Sequence, residues 1–169
     1  MKRTLRALTL GCALLMAACT RLPEGITPVQ GFELKRYLGE WHEVVRMDHR
    51  FERGLTNVTA TYSLGADGSV NVLNRGWDAA KGRWKEAKGR AVFIGSSREG
   101  RLKVSFFGPF YGAYTIIALD PERYSMICGP DRSYFWILSR EPHLDPKTLE
   151  ALLARARELG FATDKMIHP

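Results

Sequence analysis

From Trp41 to Arg140 the chain alternates apolar and polar residues, with turn residues every eight to twelve positions. Period two is the repeat of an extended strand, whose successive side chains point to opposite faces. Val58, Ala60, Tyr62 and Leu64 alternate with Asn57, Thr59, Thr61 and Ser63. That pattern is a strand with one face in a core and one in water. Ala66-Asp67-Gly68 turns the chain, and Val70 and Val72 begin the next run. Lys81-Gly82 marks another turn. Ala87, Gly89, Ala91 and Phe93 then alternate with Glu86, Lys88, Arg90 and Val92, and Leu102, Val104 and Phe106 with Lys103 and Ser105. Tyr114–Leu119, Tyr124–Cys128 and Tyr134–Ser139 follow. With Trp41–Arg46 these make eight strands joined by short connections.

The period then changes. Asp145 is placed to cap a helix and Pro146 to open it. Leu149, Leu152, Leu153, Ala156 and Leu159 recur at helical spacing until Gly160. A helix with one apolar stripe lies on the outside of the sheet, and Phe161–Ile167 adds a short last strand. At 169 residues, 45% of them hydrophobic, the chain suits one domain with a sizeable core. Eight sequential antiparallel strands and a late helix predict an all-β, up-and-down barrel. Such a barrel encloses packed side chains or one small ligand. Gly89 and Ala91 on the inward face argue for space inside.

The first eighteen residues read as an address. Lys2, Arg3 and Arg6 supply three charges of the net +7, and Leu8–Ala18 is apolar but too short to span a bilayer. The leader ends in Met16-Ala17-Ala18-Cys19, which resembles a bacterial lipobox with Met where Leu is usual. The resemblance implies that Cys19 is acylated and begins the mature chain. Thr20, not Asp, follows it, which by analogy favours the outer membrane. Residues 1–18 are thus read as signal peptide, 19–30 as a tether with two prolines and a glycine, and 31–169 as the domain. Only Cys128 then remains free, so the fold stands without a disulfide. It reads as a small hydrophobe near a strand end.

Gly39-Glu40-Trp41 lies at the start of the first strand, after a short helical turn over Leu34–Leu38, and Arg140 follows the last barrel strand. This set resembles the lipocalin signature, in which Gly39, Trp41 and Arg140 close one end of the barrel through a cation–π contact. Asp48–Gly54, Val104–Gly112, Cys128–Arg132 and Trp136–Arg140 are similar to the bacterial outer-membrane lipocalins of the Blc type. The resemblance runs from Val29 to His168. One turn departs from it: Leu119-Asp120-Pro121 stands where many lipocalins have Thr-Asp-Tyr, so the usual contacts of that turn are not implied.

The resemblance implies a lipid-anchored envelope protein that carries a hydrophobic or amphiphilic ligand, such as a fatty acid or lysophospholipid. Taking the apolar face of each strand as inward, its lining is Ala60, Tyr62, Val72, Asn74, Ala91, Phe93, Val104, Phe106, Tyr114, Ile116, Tyr134 and Trp136. Arg46, Arg50 and Arg53 are placed to meet an anionic head group at the mouth, or to stand as solvated loop residues. Lys81, Arg83, Lys85, Lys88 and Arg90 lie on one hairpin with Trp77 and Trp84, either as a solvated face or as a contact with head groups. No spacing of His42, His49 or His143 suits a metal, and no cofactor motif or catalytic set is present. The expected partners are therefore the ligand and the membrane, with no nucleic acid and a homodimer left open. The competing readings are an envelope enzyme acting on a lipid-like ligand in the barrel and a purely structural lipoprotein.

Overall fold

The computed structural model describes residues 20–169, so Cys19 and the leader lie outside the described residues. Eight antiparallel strands follow in sequence order: β1 (Gly39–Met47), β2 (Leu55–Leu64), β3 (Val70–Asp78), β4 (Arg83–Phe93), β5 (Arg101–Phe107), β6 (Phe110–Asp120), β7 (Tyr124–Cys128) and β8 (Phe135–Ser139). Each pairs with the next, and β1 pairs with both β2 and β8, so the sheet closes on itself. Closure removes the free edges that an open sheet would expose. A two-residue strand, β9 (Met166–Ile167), adds to the far end of β1 through Arg46 and Met47.

Because neighbouring strands alternate in direction, every second connection lies at the same end. The β1–β2, β3–β4, β5–β6 and β7–β8 loops form the mouth. The opposite end is covered by a short helix, α1 (Leu34–Tyr37). The inner cluster fills the barrel below the cavity with Phe32, Tyr37, Trp41, Ile116, Ile127 and their neighbours.

The second helix, α2 (Pro146–Glu158), starts where expected. Asp145 accepts a hydrogen bond from the Thr148 N–H at 2.9 Å, satisfying one of the free amides of the first turn. It buries Leu152 and Ala156 against the outward faces of β1, β7 and β8, where Val45, Met126, Cys128, Phe135 and Ile137 form a second core. Two hydrophobic layers thus share one sheet wall, which is why Tyr124–Cys128 and Phe135–Ser139 are nearly all buried.

The segment read as a tether is part of the domain from Leu22 onward. Ile26 is buried in the outer core beside Leu22, and Arg132 donates to the Glu24 carbonyl at 2.6 Å. The Val29 N–H donates to the Ile116 carbonyl at 2.9 Å, and Gln30 bridges Glu99. Its prolines and scarcity of apolar residues suggested a linker. Its few apolar side chains nevertheless reach pockets, and its backbone groups find partners on the barrel.

Candidate ligand-binding site

The closed end is built on Trp41 and Arg140. Trp41 is fully buried, and its indole N–H donates to the Tyr37 carbonyl at 2.8 Å. The Arg140 guanidinium carbon lies 3.8 Å from the indole centroid. The same guanidinium donates to the carbonyls of Arg36, Leu38, Glu40 and Pro121. It therefore ties α1, the start of β1 and the β6–β7 turn into one plug. Gly39 has φ +98, and an added Cβ would meet Arg140 Nη1 at 3.4 Å. The left-handed backbone is what favours glycine here, since an added Cβ would only touch the guanidinium at ordinary contact distance. In the Leu119-Asp120-Pro121 turn, Asp120 Oδ1 accepts from the Glu122 N–H, and Pro121 supplies one of the carbonyls bound by Arg140. The turn keeps its role in closure despite its altered sequence.

Above this plug lies a cavity of about 90 Å³. Nine of the residues expected to face inward line it: Ala60, Tyr62, Val72, Asn74, Ala91, Val104, Phe106, Tyr114 and Trp136. Three do not. Phe93 has the expected parity but sits at the low end of β4, packed on Phe32 at 6.0 Å. Ile116 is wholly buried in the core beneath the floor. Tyr134 precedes β8 and stacks near the mouth against His49 and Trp136. Lining residues absent from the expectation include Val58, Val70, Leu102 and Leu138, which continue the inward parity of Ala60, Val72, Val104 and Trp136, and Ile127 of β7. Phe32, Leu34 and Tyr37 come from the plug, where strand parity gives no guide.

Gly89 does not leave empty space. A Cβ there would lie 2.7 Å from the Phe106 ring, so the ring occupies the slot that the missing side chain provides. The open volume comes from Ala60, Ala91 and the valines instead.

Two polar groups bracket the apolar wall. Near the floor, Tyr114 shares hydrogen bonds with Tyr37 at 2.6 Å and Tyr62 at 2.8 Å, and Tyr37 reaches Ser125 at 3.3 Å. Burial pushes the Tyr37 hydroxyl up to about 12 and raises Tyr62 and Tyr114 well above their ordinary values, so all three stay neutral.

Near the mouth stands a charged group that sequence reasoning missed. Arg46 is 1% exposed, not at the rim. A bulge between Glu43 and Val45 shifts the register of β1 and reverses its parity, which turns Arg46 inward. Its guanidinium donates to Glu43 at 2.5 Å and to the carbonyls of Glu52 and Leu55. Glu52 reaches in from the β1–β2 loop, accepting from the Trp136 indole at 3.1 Å, with His49 Nε2 at 2.9 Å. Burial, followed by the charge of Glu52, raises the Glu43 carboxyl to about 8 despite Arg46. Burial opposes ionisation of Glu52 too, but the donors His49 and Trp136 and the charge of Arg46 outweigh it, and its pKa is lowered. Arg46 is thus committed to protein groups. Arg50 lies over Phe51 at 4.9 Å, and Arg53 pairs with Asp48 at 3.0 Å, both exposed.

The barrel, its plug and its single mouth have counterparts among known proteins. A family model described as a lipocalin-like domain matches residues 32–169. The chain belongs to the lipocalin family. This lipocalin is 51% identical to the outer membrane lipoprotein Blc of Escherichia coli K12, over 92% of this chain and 89% of that one. It is 48% identical to the outer membrane lipoprotein Blc of Vibrio cholerae, over 93% of both chains. Among solved structures, insecticyanin from Manduca sexta superposes with a TM-score of 0.71 at 21% identity, over 88% of this chain and 85% of that one. That last likeness speaks to the fold alone. The two bacterial relatives locate the lipocalin at the outer membrane.

Proposed function

We propose that this lipocalin is held to the outer membrane by acylated Cys19, faces the periplasm, and carries a single-chain amphiphile such as a fatty acid or lysophospholipid in its barrel. It acts as a carrier or store rather than as an enzyme or a passive structural protein. The observation that carries the reading is a mainly apolar cavity with a few polar groups, Glu43, Glu52, Asn74 and the three tyrosines among them, closed at one end by Trp41 and Arg140. An apolar cleft with a few placed polar groups is the usual make-up of a small-molecule site.

The cavity volume constrains how the ligand enters. About 90 Å³ is well below the roughly 300–1,000 Å³ of an ordinary small-molecule pocket, so a long acyl chain needs more room than the closed cavity offers. Phe106 and Trp136 are only half-buried and border the cavity, so the chain enters by displacing them toward the mouth. A chain of about sixteen carbons gains on the order of 10 kcal/mol gross from burial at ~0.8 kcal/mol per methylene. Ordering the chain, associating and moving those rings take back much of it, which leaves micromolar to nanomolar affinity.

The test is a mass spectrum of lipids extracted from the purified full chain. One amphiphile per protein supports the carrier. A lipid converted to a new product over time supports an enzyme, and a lipid-free protein that takes up none on incubation supports a structural role.

A further inference from the structure

We propose that the open mouth of the barrel lies against the anionic surface of the membrane that carries the chain's own anchor, so that ligand passes between bilayer and cavity without crossing water. The proposal rests on the reading of Cys19 as the acylated residue.

The first observation is the path of the N-terminal segment. Gln30 sits beside Glu99 in the β4–β5 loop, at the closed end. Glu24 sits at the other end, where its carbonyl accepts from Arg132 of the β7–β8 loop at the mouth. The same arginine donates to Leu159, just past the last turn of α2. The segment therefore climbs the outside of the barrel from floor to rim as it is followed back toward its start. Leu22 is still packed on the outer core. Only Thr20 and Arg21 separate it from Cys19, and three residue steps span at most ~11 Å. A lipid on Cys19 thus leaves the protein at the mouth end and has no slack to reach the floor.

The second observation is what the mouth exposes. Phe107 is 72% exposed and Phe110 71%, flanking the β5–β6 turn. Phe51 on the β1–β2 loop and Trp84 on the β3–β4 hairpin are also exposed. The Lys85 ammonium donates to the Phe51 carbonyl, which joins those two loops into one rim. Four large aromatic or apolar rings presented to water at one end of a small domain mark a contact surface. Arg50, Arg83 and Lys85 stand among them, exposed, and no ion pair among the described residues neutralises them. Rings that enter the acyl boundary beside cations that meet phosphate are the composition of a membrane-surface contact. A protein partner would be served by the rings, but the cations and the position of Cys19 select the lipid surface.

Cysteine probes read this directly in the full-length acylated protein, reconstituted into vesicles of phosphatidylethanolamine and phosphatidylglycerol. Cys128 is buried and Cys19 is blocked by lipid, so a Phe107→Cys or Leu64→Cys thiol takes up an environment-sensitive nitrobenzoxadiazole label alone. Leu64 is 59% exposed at the closed end and serves as the control. Flotation with the vesicles checks the anchor separately, and lipid extraction checks the carrier reading. The expected result is a blue-shifted Phe107→Cys label whose emission is lost on adding nitroxide-bearing lipid, with the Leu64→Cys label unaffected. Adding Arg50→Glu and Arg83→Glu should weaken that quenching. Equal quenching at both ends, or none at Phe107→Cys in a protein that floats, overturns the proposal. So does a blue shift without quenching, which would mean that a second copy of the chain covers the rim.

Discussion

Arg140 stacks on Trp41 at 3.8 Å while donating to four backbone carbonyls, so one side chain seals the floor by both packing and hydrogen bonding. Trp41→Ala is expected to cost about 3–5 kcal/mol through the cavity it leaves. Arg140→Ala should also destabilise, by about 1–3 kcal/mol, because carbonyls lose their donors and the indole its cover. Arg140→Lys should recover little, since a single ammonium cannot reach four carbonyls in a plane. Urea unfolding of the three variants checks the order.

Glu43 gives the barrel a pH dependence of a particular sign. Its folded pKa of about 8 lies above the ordinary carboxylate value, so the native state binds its proton more tightly than the unfolded chain. Its contribution is therefore favourable at low pH and is lost as the pH rises from about 4.5 to about 8. Glu52 acts with the opposite sign because its pKa is lowered. Glu43→Gln should leave stability near pH 5 little changed and raise it relative to the parent near pH 8, as measured by urea midpoints at about those two pH values. A parallel fall in both proteins would contradict the assignment.

Phe106 and Gly89 fit as ring and slot. Gly89→Ala should drive the ring toward the cavity, destabilise by about 1–3 kcal/mol and weaken ligand binding. Phe106→Ala removes the clash and widens the entrance. The double variant should recover binding lost in Gly89→Ala, and the coupling between the two sites is read from a double-mutant cycle.

Most of the barrel was legible because period two sets which face each residue takes. Ala60, Val72, Ala91 and Val104 line the cavity for that reason. The same rule would have found Val58, Val70, Leu102 and Leu138, two positions along the same strands. It also marks Glu43, two residues after Trp41, as inward, although a charged residue does not suggest a core. Arg46 was not legible, because a bulge one residue long inverts parity and leaves no mark in composition. Glu52 and His49 enter from a loop, where no period applies. Gly89 was ambiguous from the start: a strand glycine leaves room either for a ligand or for a neighbouring ring, and only packing decides.

Cys19→Ala should release the protein from the membrane fraction. A single acyl chain would hold it marginally, whereas the two or three of a bacterial lipoprotein hold it firmly. Fractionation of cell envelopes checks this, and a Cys19→Ala chain that remains processed and membrane-bound would contradict the anchor.

The most direct test of the ligand site is an Ala91→Trp titration with a fluorescent fatty acid. Ala91 is 3% exposed on the cavity wall, and an indole there fills the space that the small residue leaves. The account predicts that binding is abolished in a protein that still folds with a lowered melting temperature, because the indole must push aside the same rings, Phe106 and Trp136, that a ligand displaces. Undiminished binding in a folded Ala91→Trp protein would place the ligand outside the barrel and contradict the account.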